Sequence, residues 1–104
     1  MVKTEREIKE IIERYKEELK KLGITPQKVI LYGSYAKGNP REDSDIDLIV
    51  MSEDFRHMNL RERLEALGLA AGRVFEPIEA MGYTEEEVKD AKGTFLEDIL
   101  PAVR

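Results

Sequence analysis

Two short apolar runs, joined by a loop of small and turn-forming residues, constrain the fold of this chain more than any other feature. The first run, Lys28–Tyr32, is rich in β-branched residues and stops abruptly at Gly33, and the second occupies positions 45–50. Runs of this length and composition are typical of buried strands. The sequence therefore predicts two neighbouring strands connected through residues 33–44.

Helical patterns flank these two strands. Capping boxes, in which a glutamate lies three residues after the cap, begin at Thr4 and Asn59. Apolar residues then recur at helical spacing, and glycines at positions 23 and 72 are the predicted ends of the two helices. In the second helix we expect Leu60, Leu64, Leu67 and Ala71 to face the core.

The remainder of the chain predicts one further strand and two short helices. Residues 73–81 form the expected third strand, and capping boxes at Thr84 and Thr94 begin the helices. The whole pattern indicates an α/β (α+β) fold, with a small mixed sheet flanked by helices. Because 104 residues suit one hydrophobic core, we expect a single domain over 1–104.

Composition excludes several classes of function. The chain has no cysteine, so disulfides, thiolate metal sites and thiol nucleophiles are absent. A net charge of −5 disfavours the basic surface that broad nucleic-acid binding requires. No apolar stretch approaches the roughly 20 residues of a membrane span. We therefore expect a cytoplasmic protein without membrane or sequence-independent nucleic-acid partners.

The loop between the first two strands combines the residues with chemical potential. Gly33 permits a sharp turn at the strand end, and a helix start directly after it would present free backbone N–H groups together with the Ser34 hydroxyl. This arrangement suits phosphate groups. Asp45 and Asp47 lie two apart on a strand, so their carboxylates share a face and could bind Mg²⁺ together with substrate phosphates.

Other polar residues near the loop allow two interpretations. Lys37 and Arg41 could neutralise the charge of a triphosphate, or they could be solvated loop residues. His57 has no partner at ligand spacing, which disfavours a metal or general-base role. Tyr35 could cover a nucleotide, but packing within the loop is the expectation we adopt.

The chain runs from a strand through Gly33-Ser34 to a second strand that begins with Asp45 and Asp47. This order resembles the DNA polymerase β nucleotidyltransferase superfamily, and the small size of the chain is similar to its MNT branch of minimal nucleotidyltransferases. This resemblance implies the nucleotidyltransferase fold. It also implies that Gly33 and Ser34 hold a nucleoside triphosphate while the two aspartates bind metal ions. The family further uses a third carboxylate on a later strand, which holds one metal and draws the proton from the attacking hydroxyl.

The third carboxylate is where this chain departs from the family pattern. The predicted third strand carries Glu76 and Glu79 in place of an aspartate, and their odd spacing puts them on opposite faces. We favour Glu76 as the catalytic and metal-binding group because a carboxylate in mid-strand is otherwise hard to explain. It is equally consistent that neither glutamate serves and that the enzyme is weak.

The resemblance implies a Mg²⁺-dependent transferase, with two ions, that moves AMP from ATP or another NTP onto a hydroxyl group. Within the MNT branch the acceptor would be a tyrosine of a helical HEPN-type toxin, and this chain would act as its antitoxin. One alternative is a non-catalytic module that senses nucleotide and neutralises its partner. A second is a transferase acting on a small hydroxylated molecule, which the short chain disfavours because it leaves no room for an acceptor domain.

Overall fold

The computed structural model describes residues 3–38, 40 and 45–90, which form helices around a three-stranded sheet. The α-helices are α1 (Glu5–Lys21), α2 (Gly33–Lys37), α3 (Leu60–Val74) and α4 (Glu85–Lys89), and a 3-10 helix covers Glu53–His57. The strands are β1 (Lys28–Tyr32), β2 (Ile46–Met51) and β3 (Ile78–Tyr83). Within these described residues, no helix is long and apolar enough to cross a membrane.

The sheet is mixed, as the sequence predicts. Its strand order is β1-β2-β3, with β1 antiparallel to β2 and β2 parallel to β3. A parallel pair needs a long crossover connection, and α3 supplies most of it. As a result, the end of β1 and the beginnings of β2 and β3 meet at one end of the sheet.

The side chains of successive β2 residues point to opposite faces of the sheet. Ile46, Leu48 and Val50 are fully buried in a core shared with α1 and α3. The two helices are also joined by a hydrogen bond, since the Tyr15 hydroxyl donates to the Leu67 carbonyl at 2.9 Å. Ile49 lies in a smaller apolar cluster on the opposite face of the sheet. The sheet therefore has one face against helices and a second on which Asp47 lies.

The helix starts confirm the sequence prediction at three positions. Thr4, Asn59 and Thr84 each accept a hydrogen bond from the backbone three residues later, and the glutamate at that later position accepts from the cap residue. The helix predicted from Thr94 lies outside the described residues. Strands β1 and β2 also match their predicted positions within one residue.

The end of α3 differs from the prediction. Gly72 does not stop the helix, which continues to Val74 and ends at Phe75 in a left-handed conformation. Burial explains the extra turn, because the inward positions repeat at helical spacing to the last residue: Arg63, Leu67, Ala70 and Val74. The predicted strand over 73–81 is therefore wrong at its start, and β3 begins only after Pro77.

The face that α3 turns inward also differs from the prediction. Leu67 is buried, but Leu60 is 71% exposed and Leu64 is 48% exposed. The buried stripe instead passes through the charged residue Arg63, which sequence hydrophobicity could not indicate. Two leucines expected in the core therefore lie on the surface.

Arg63 fixes the far end of β3. Its guanidinium donates to the carbonyls of Phe55 at 2.7 Å and Gly82 at 3.2 Å, and to Oε1 of Glu87 at 2.7 Å. It also lies over the Phe55 ring, 5.6 Å from the centroid. These contacts join the 3-10 helix, α3, β3 and α4, and so hold in place the strand that carries Glu79.

Candidate active site

The turn after β1 is built as the sequence predicts. Gly33 has a φ of 73°, which favours glycine, and α2 begins at this residue without an intervening loop. Gly38, also left-handed at a φ of 77°, ends the helix one turn later. Ser34 therefore lies in the first turn of α2, beside backbone N–H groups that have no partner within the helix.

Gly33 is also the neighbour of Asp47. A Cβ atom built on Gly33 would overlap the Asp47 carboxylate and would lie only 3.0 Å from its Cγ. Asp47 thus occupies space that every other residue type at position 33 would fill. The predicted phosphate-binding turn and the predicted metal ligand are in direct contact.

Strand pairing sets three polar side chains in a row. Asp47 on β2 is opposite Tyr32 on β1 and opposite Glu79 on β3. Paired residues of neighbouring strands project to the same face, so the three side chains lie on the face turned away from α1 and α3. Asp45 immediately precedes β2 and is exposed at the same end of the sheet.

The electrostatics of this row are unfavourable without a cation. Burial raises the pKa of Asp47, and the negative charges of Glu79 and Asp45 raise it further. Burial also raises the pKa of Tyr32, with the charges of Asp47 and Glu79 as additional causes. In the described part of the chain no Lys or Arg forms a salt bridge with Asp45, Asp47 or Glu79. Asp45, Asp47 and Glu79 therefore form a negatively charged carboxylate cluster that attracts a cation.

Glu76 does not belong to this cluster, and the strand argument that favoured it is wrong. It precedes Pro77, outside β3, and its carboxylate is paired with Lys3 Nζ at 3.2 Å and Arg14 at 3.8 Å. Both cations come from the segment around α1, on the helix-covered face of the sheet. Glu79 is the glutamate that the structure brings beside Asp47.

The other residues predicted near the nucleotide are Lys37, Arg41 and Tyr35. Lys37 is exposed in the last turn of α2, three residues after Ser34 on the same short helix. Arg41 lies outside the described residues. Tyr35 is predicted to pack within its loop; it packs against the main core, and its hydroxyl accepts a hydrogen bond from the Lys3 backbone N–H at 3.4 Å. Sequence reasoning missed Tyr32, whose only signal was its place directly before Gly33.

The donor set fits a metal that binds together with a phosphate-bearing substrate. Over residues 3–38, 40 and 45–90, no three His, Cys, Asp or Glu side chains converge closely enough to hold a metal ion by themselves. Mg²⁺ commonly uses one or two carboxylates and takes its remaining ligands from water and substrate phosphates. Asp47 and Asp45, beside the Gly33-Ser34 turn, supply that smaller set.

The sequence of this chain matches a known protein family. A family model described as a nucleotidyltransferase domain matches residues 8–99, which is most of the chain. The chain belongs to the nucleotidyltransferase domain family. The resemblance predicted from Gly33, Ser34, Asp45 and Asp47 is therefore confirmed, and these motif residues all lie within the matched range.

Several curated proteins are similar in sequence to this chain. Two proteins of Methanocaldococcus jannaschii that carry provisional protein adenylyltransferase names are 45% identical over 49 residues and 38% identical over 66 residues. Those alignments cover 47% and 64% of this chain, and 56% and 65% of the relatives. The protein adenylyltransferase MntA of Thermococcus cleftensis is 36% identical over 66 residues, 59% of this chain and 65% of MntA. The chain thus spans between half and two thirds of the length of these relatives.

A solved structure supports the fold. A Sulfolobus solfataricus protein described provisionally as a nucleotidyltransferase superposes with a TM-score of 0.51, covering 88% of this chain and 86% of that one. At 22% identity this likeness shows the fold alone. It confirms the predicted small mixed α/β architecture of the nucleotidyltransferase type.

Proposed function

We propose that this nucleotidyltransferase domain transfers AMP from Mg²⁺-bound ATP to a hydroxyl group on another protein. The observation that carries the proposal is the contact between Gly33 and Asp47, with Glu79 paired next to Asp47. It puts a turn suited to phosphate against a negative cluster suited to a cation. Family membership favours nucleotidyl transfer, and the protein adenylyltransferase names of the relatives favour a protein acceptor.

The turn from β1 into α2 forms the nucleotide-binding half of the proposed site. The N–H groups at the start of α2, together with the Ser34 hydroxyl, hold the β- and γ-phosphates, and Lys37 adds positive charge from the end of the same helix. Arg41 remains a candidate for the same task. Asp45 and Asp47 would hold the Mg²⁺, two ions as the family resemblance implies, and the metal would neutralise the phosphate charge.

The proton acceptor is the third carboxylate. Glu79 is adjacent to Asp47 on the sheet and is exposed, so an incoming hydroxyl group can reach it. The hydroxyl oxygen bonds to the α-phosphorus, the bond from that phosphorus to the bridging oxygen breaks, and pyrophosphate leaves. Glu79 accepts the hydroxyl proton. Glu79 takes the role for which the sequence had favoured Glu76.

The acceptor in this proposal is a tyrosine of a helical HEPN-type partner, and the chain acts as the antitoxin of that pair in the cytoplasm. The protein adenylyltransferase names of the relatives support a protein acceptor. The exposure of Asp45 and Glu79 is also consistent with one, because a bulky acceptor needs an open approach to the carboxylates.

A mass measurement tests this proposal. The protein is incubated with Mg²⁺-ATP and the product of the neighbouring gene, and the intact masses of both chains are determined. We expect the partner to gain one or more adenylyl groups with wild type and none with Asp45→Asn. A partner that stays unmodified while forming a tight, nucleotide-independent complex would instead support the non-catalytic binding module.

A further inference from the structure

An apolar patch adjoins the carboxylate cluster on the open face of the sheet, which is the face turned away from α1 and α3. The next row of side chains on this face, two residues along each strand from Asp47 and its partners, is apolar: Ile30, Ile49 and Met81. The row beyond it contains Met51 and Tyr83. The two isoleucines are buried, whereas Met81, Met51 and Tyr83 are partly exposed. The carboxylates thus border an apolar surface.

The apolar patch consists of strand residues alone in the part of the chain that the structure describes. The core shared with α1 and α3 lies on the other face, against Leu48 and Ala80. Partly exposed apolar side chains that form a continuous patch beside a reactive group are typical of a binding surface. Methionine suits such a surface, because its unbranched, polarisable side chain adapts to the shape of a partner. These features indicate a place for an apolar part of a substrate.

Met81 is the patch residue nearest to Glu79 along β3. The two residues are two positions apart on the strand, so their side chains project to the same face and their Cα atoms are about 7 Å apart. Tyr83, two positions further on, donates a hydrogen bond from its hydroxyl to Sδ of Met81 at 3.7 Å. This contact holds the thioether over the open face, one step along β3 from the glutamate.

In-line transfer determines which substrate comes to the β3 side of the sheet. In the proposed site the leaving pyrophosphate stays at the start of α2, directly after β1. The attacking oxygen must approach the α-phosphorus from the opposite direction. Since β2 separates β3 from β1, Glu79 and Met81 lie on the side from which the acceptor arrives.

We propose that Met81 is an acceptor-binding residue, which packs against an apolar side chain next to the hydroxyl-bearing residue of the protein that is modified. This inference rests on the proposed function and adds a substrate preference to the same site. A hydroxyl group that gives its proton to Glu79 must lie over the open face. Residues one or two positions away in an extended acceptor segment are about 4–7 Å from the hydroxyl-bearing residue, which matches the spacing from Glu79 to Met81. An apolar neighbour gains from this contact, whereas a polar one would lose its hydration.

Two synthetic peptides and three variants test the inference. Each peptide contains one tyrosine, flanked by leucines in one and by serines in the other, and AMP transfer from Mg²⁺-ATP is followed by mass. Met81→Gln removes the apolar contact at nearly the same side-chain length, and Met81→Leu keeps it. Met51→Gln is the matched control, because Met51 is also a partly exposed methionine of the patch but lies four residues along β2 from Asp47, in the row beyond Met81.

We expect wild type to prefer the leucine peptide about tenfold in kcat/KM, a difference typical of one well-packed apolar contact. Met81→Gln should lose this preference through a higher KM for the leucine peptide, and its affinity for Mg²⁺-ATP should stay within about twofold of wild type. Met81→Leu and Met51→Gln should retain the preference.

Three results would overturn the inference. Equal kcat/KM of wild type on the two peptides would show that no apolar contact forms beside the tyrosine, and this comparison requires no variant, so a folding defect in Met81→Gln leaves it decisive. A preference that survives in Met81→Gln, or that is lost equally in Met51→Gln, would remove Met81 from the contact. Weaker Mg²⁺-ATP binding by Met81→Gln would assign the methionine to the nucleoside instead. Failure of the proposed function looks different, since wild type would then label neither peptide while still binding Mg²⁺-ATP.

Discussion

The carboxylate of Asp47 occupies the space in which a side chain at Gly33 would begin. Gly33 therefore has two tasks: its positive φ allows α2 to start directly after β1, and its missing Cβ leaves room for the Asp47 carboxylate. The turn at Gly33 and the carboxylate cluster depend on each other through this contact.

Replacing Gly33 with Ala should displace Asp47 and abolish metal-dependent nucleotide binding. The added Cβ overlaps the carboxylate, and the left-handed backbone adds strain, so we expect a loss of about 1–3 kcal/mol in unfolding free energy. Calorimetric titration with Mg²⁺-ATP and chemical denaturation measure the two effects. Gly23→Ala is the matched control, because Gly23 has a φ of 85° and open space around it. Equal nucleotide affinity in both variants would contradict the clash.

Glu79→Gln should reduce transfer by a factor of about 10²–10⁴ while Mg²⁺-ATP still binds, as expected for loss of a general base. Glu76→Gln should leave turnover nearly unchanged and lower stability slightly, because Glu76 pairs with Lys3 and Arg14. Single-turnover rates and nucleotide affinities are measured for both variants. A larger loss in Glu76→Gln would show that β3 starts earlier than Ile78.

The carboxylate cluster should make the metal-free protein less stable at neutral pH than its Asp47→Asn variant. The pKa of Asp47 is raised on folding by burial, Glu79 and Asp45, so the folded state binds its proton more tightly than the unfolded state. Its contribution to stability then falls as pH rises from the ordinary aspartate range through the raised pKa. Melting temperatures in a chelating buffer should favour Asp47→Asn at pH 7, and the difference should vanish near pH 3. A constant difference across this range would contradict the pKa shift.

Arg63→Met should destabilise the domain by about 3–5 kcal/mol. Arg63 is 9% exposed and donates to Phe55, Gly82 and Glu87, which would be left without these hydrogen bonds. Urea denaturation measures the loss. Arg61→Met is the control, since Arg61 is exposed and makes one surface pair with Glu65, worth less than about 0.5 kcal/mol. Similar losses in both variants would argue against the network.

Local signals in the sequence predicted a large part of the fold. Capping boxes at Thr4, Asn59 and Thr84 depend on contacts three residues apart, and all three are present. Strand β1 likewise ends where Gly33 indicates. These features are set by neighbours along the chain, which a sequence displays directly.

The errors concern features set by distant contacts. Gly72 is a plausible helix end, but burial of Val74 against the core extends α3 past it. The choice between Glu76 and Glu79 depended on where β3 begins, and Pro77 with its bond to Ile46 settles that position. The pairing of Asp47 with Glu79 is a matter of register between strands separated by α3, which local patterns do not encode.

The assignment of Asp45 and Asp47 is tested by the affinity of the protein for a non-hydrolysable ATP analogue, measured by calorimetry with and without Mg²⁺. We expect binding to require the metal in wild type, because in the proposed site Asp45 and Asp47 hold the Mg²⁺ that accompanies the phosphates. We expect Asp47→Asn to lower the metal-dependent affinity at least tenfold, roughly the loss of one charged ligand. Equal affinity with and without Mg²⁺, or an unchanged affinity in Asp47→Asn, would contradict the assignment of this cluster as the metal and nucleotide site.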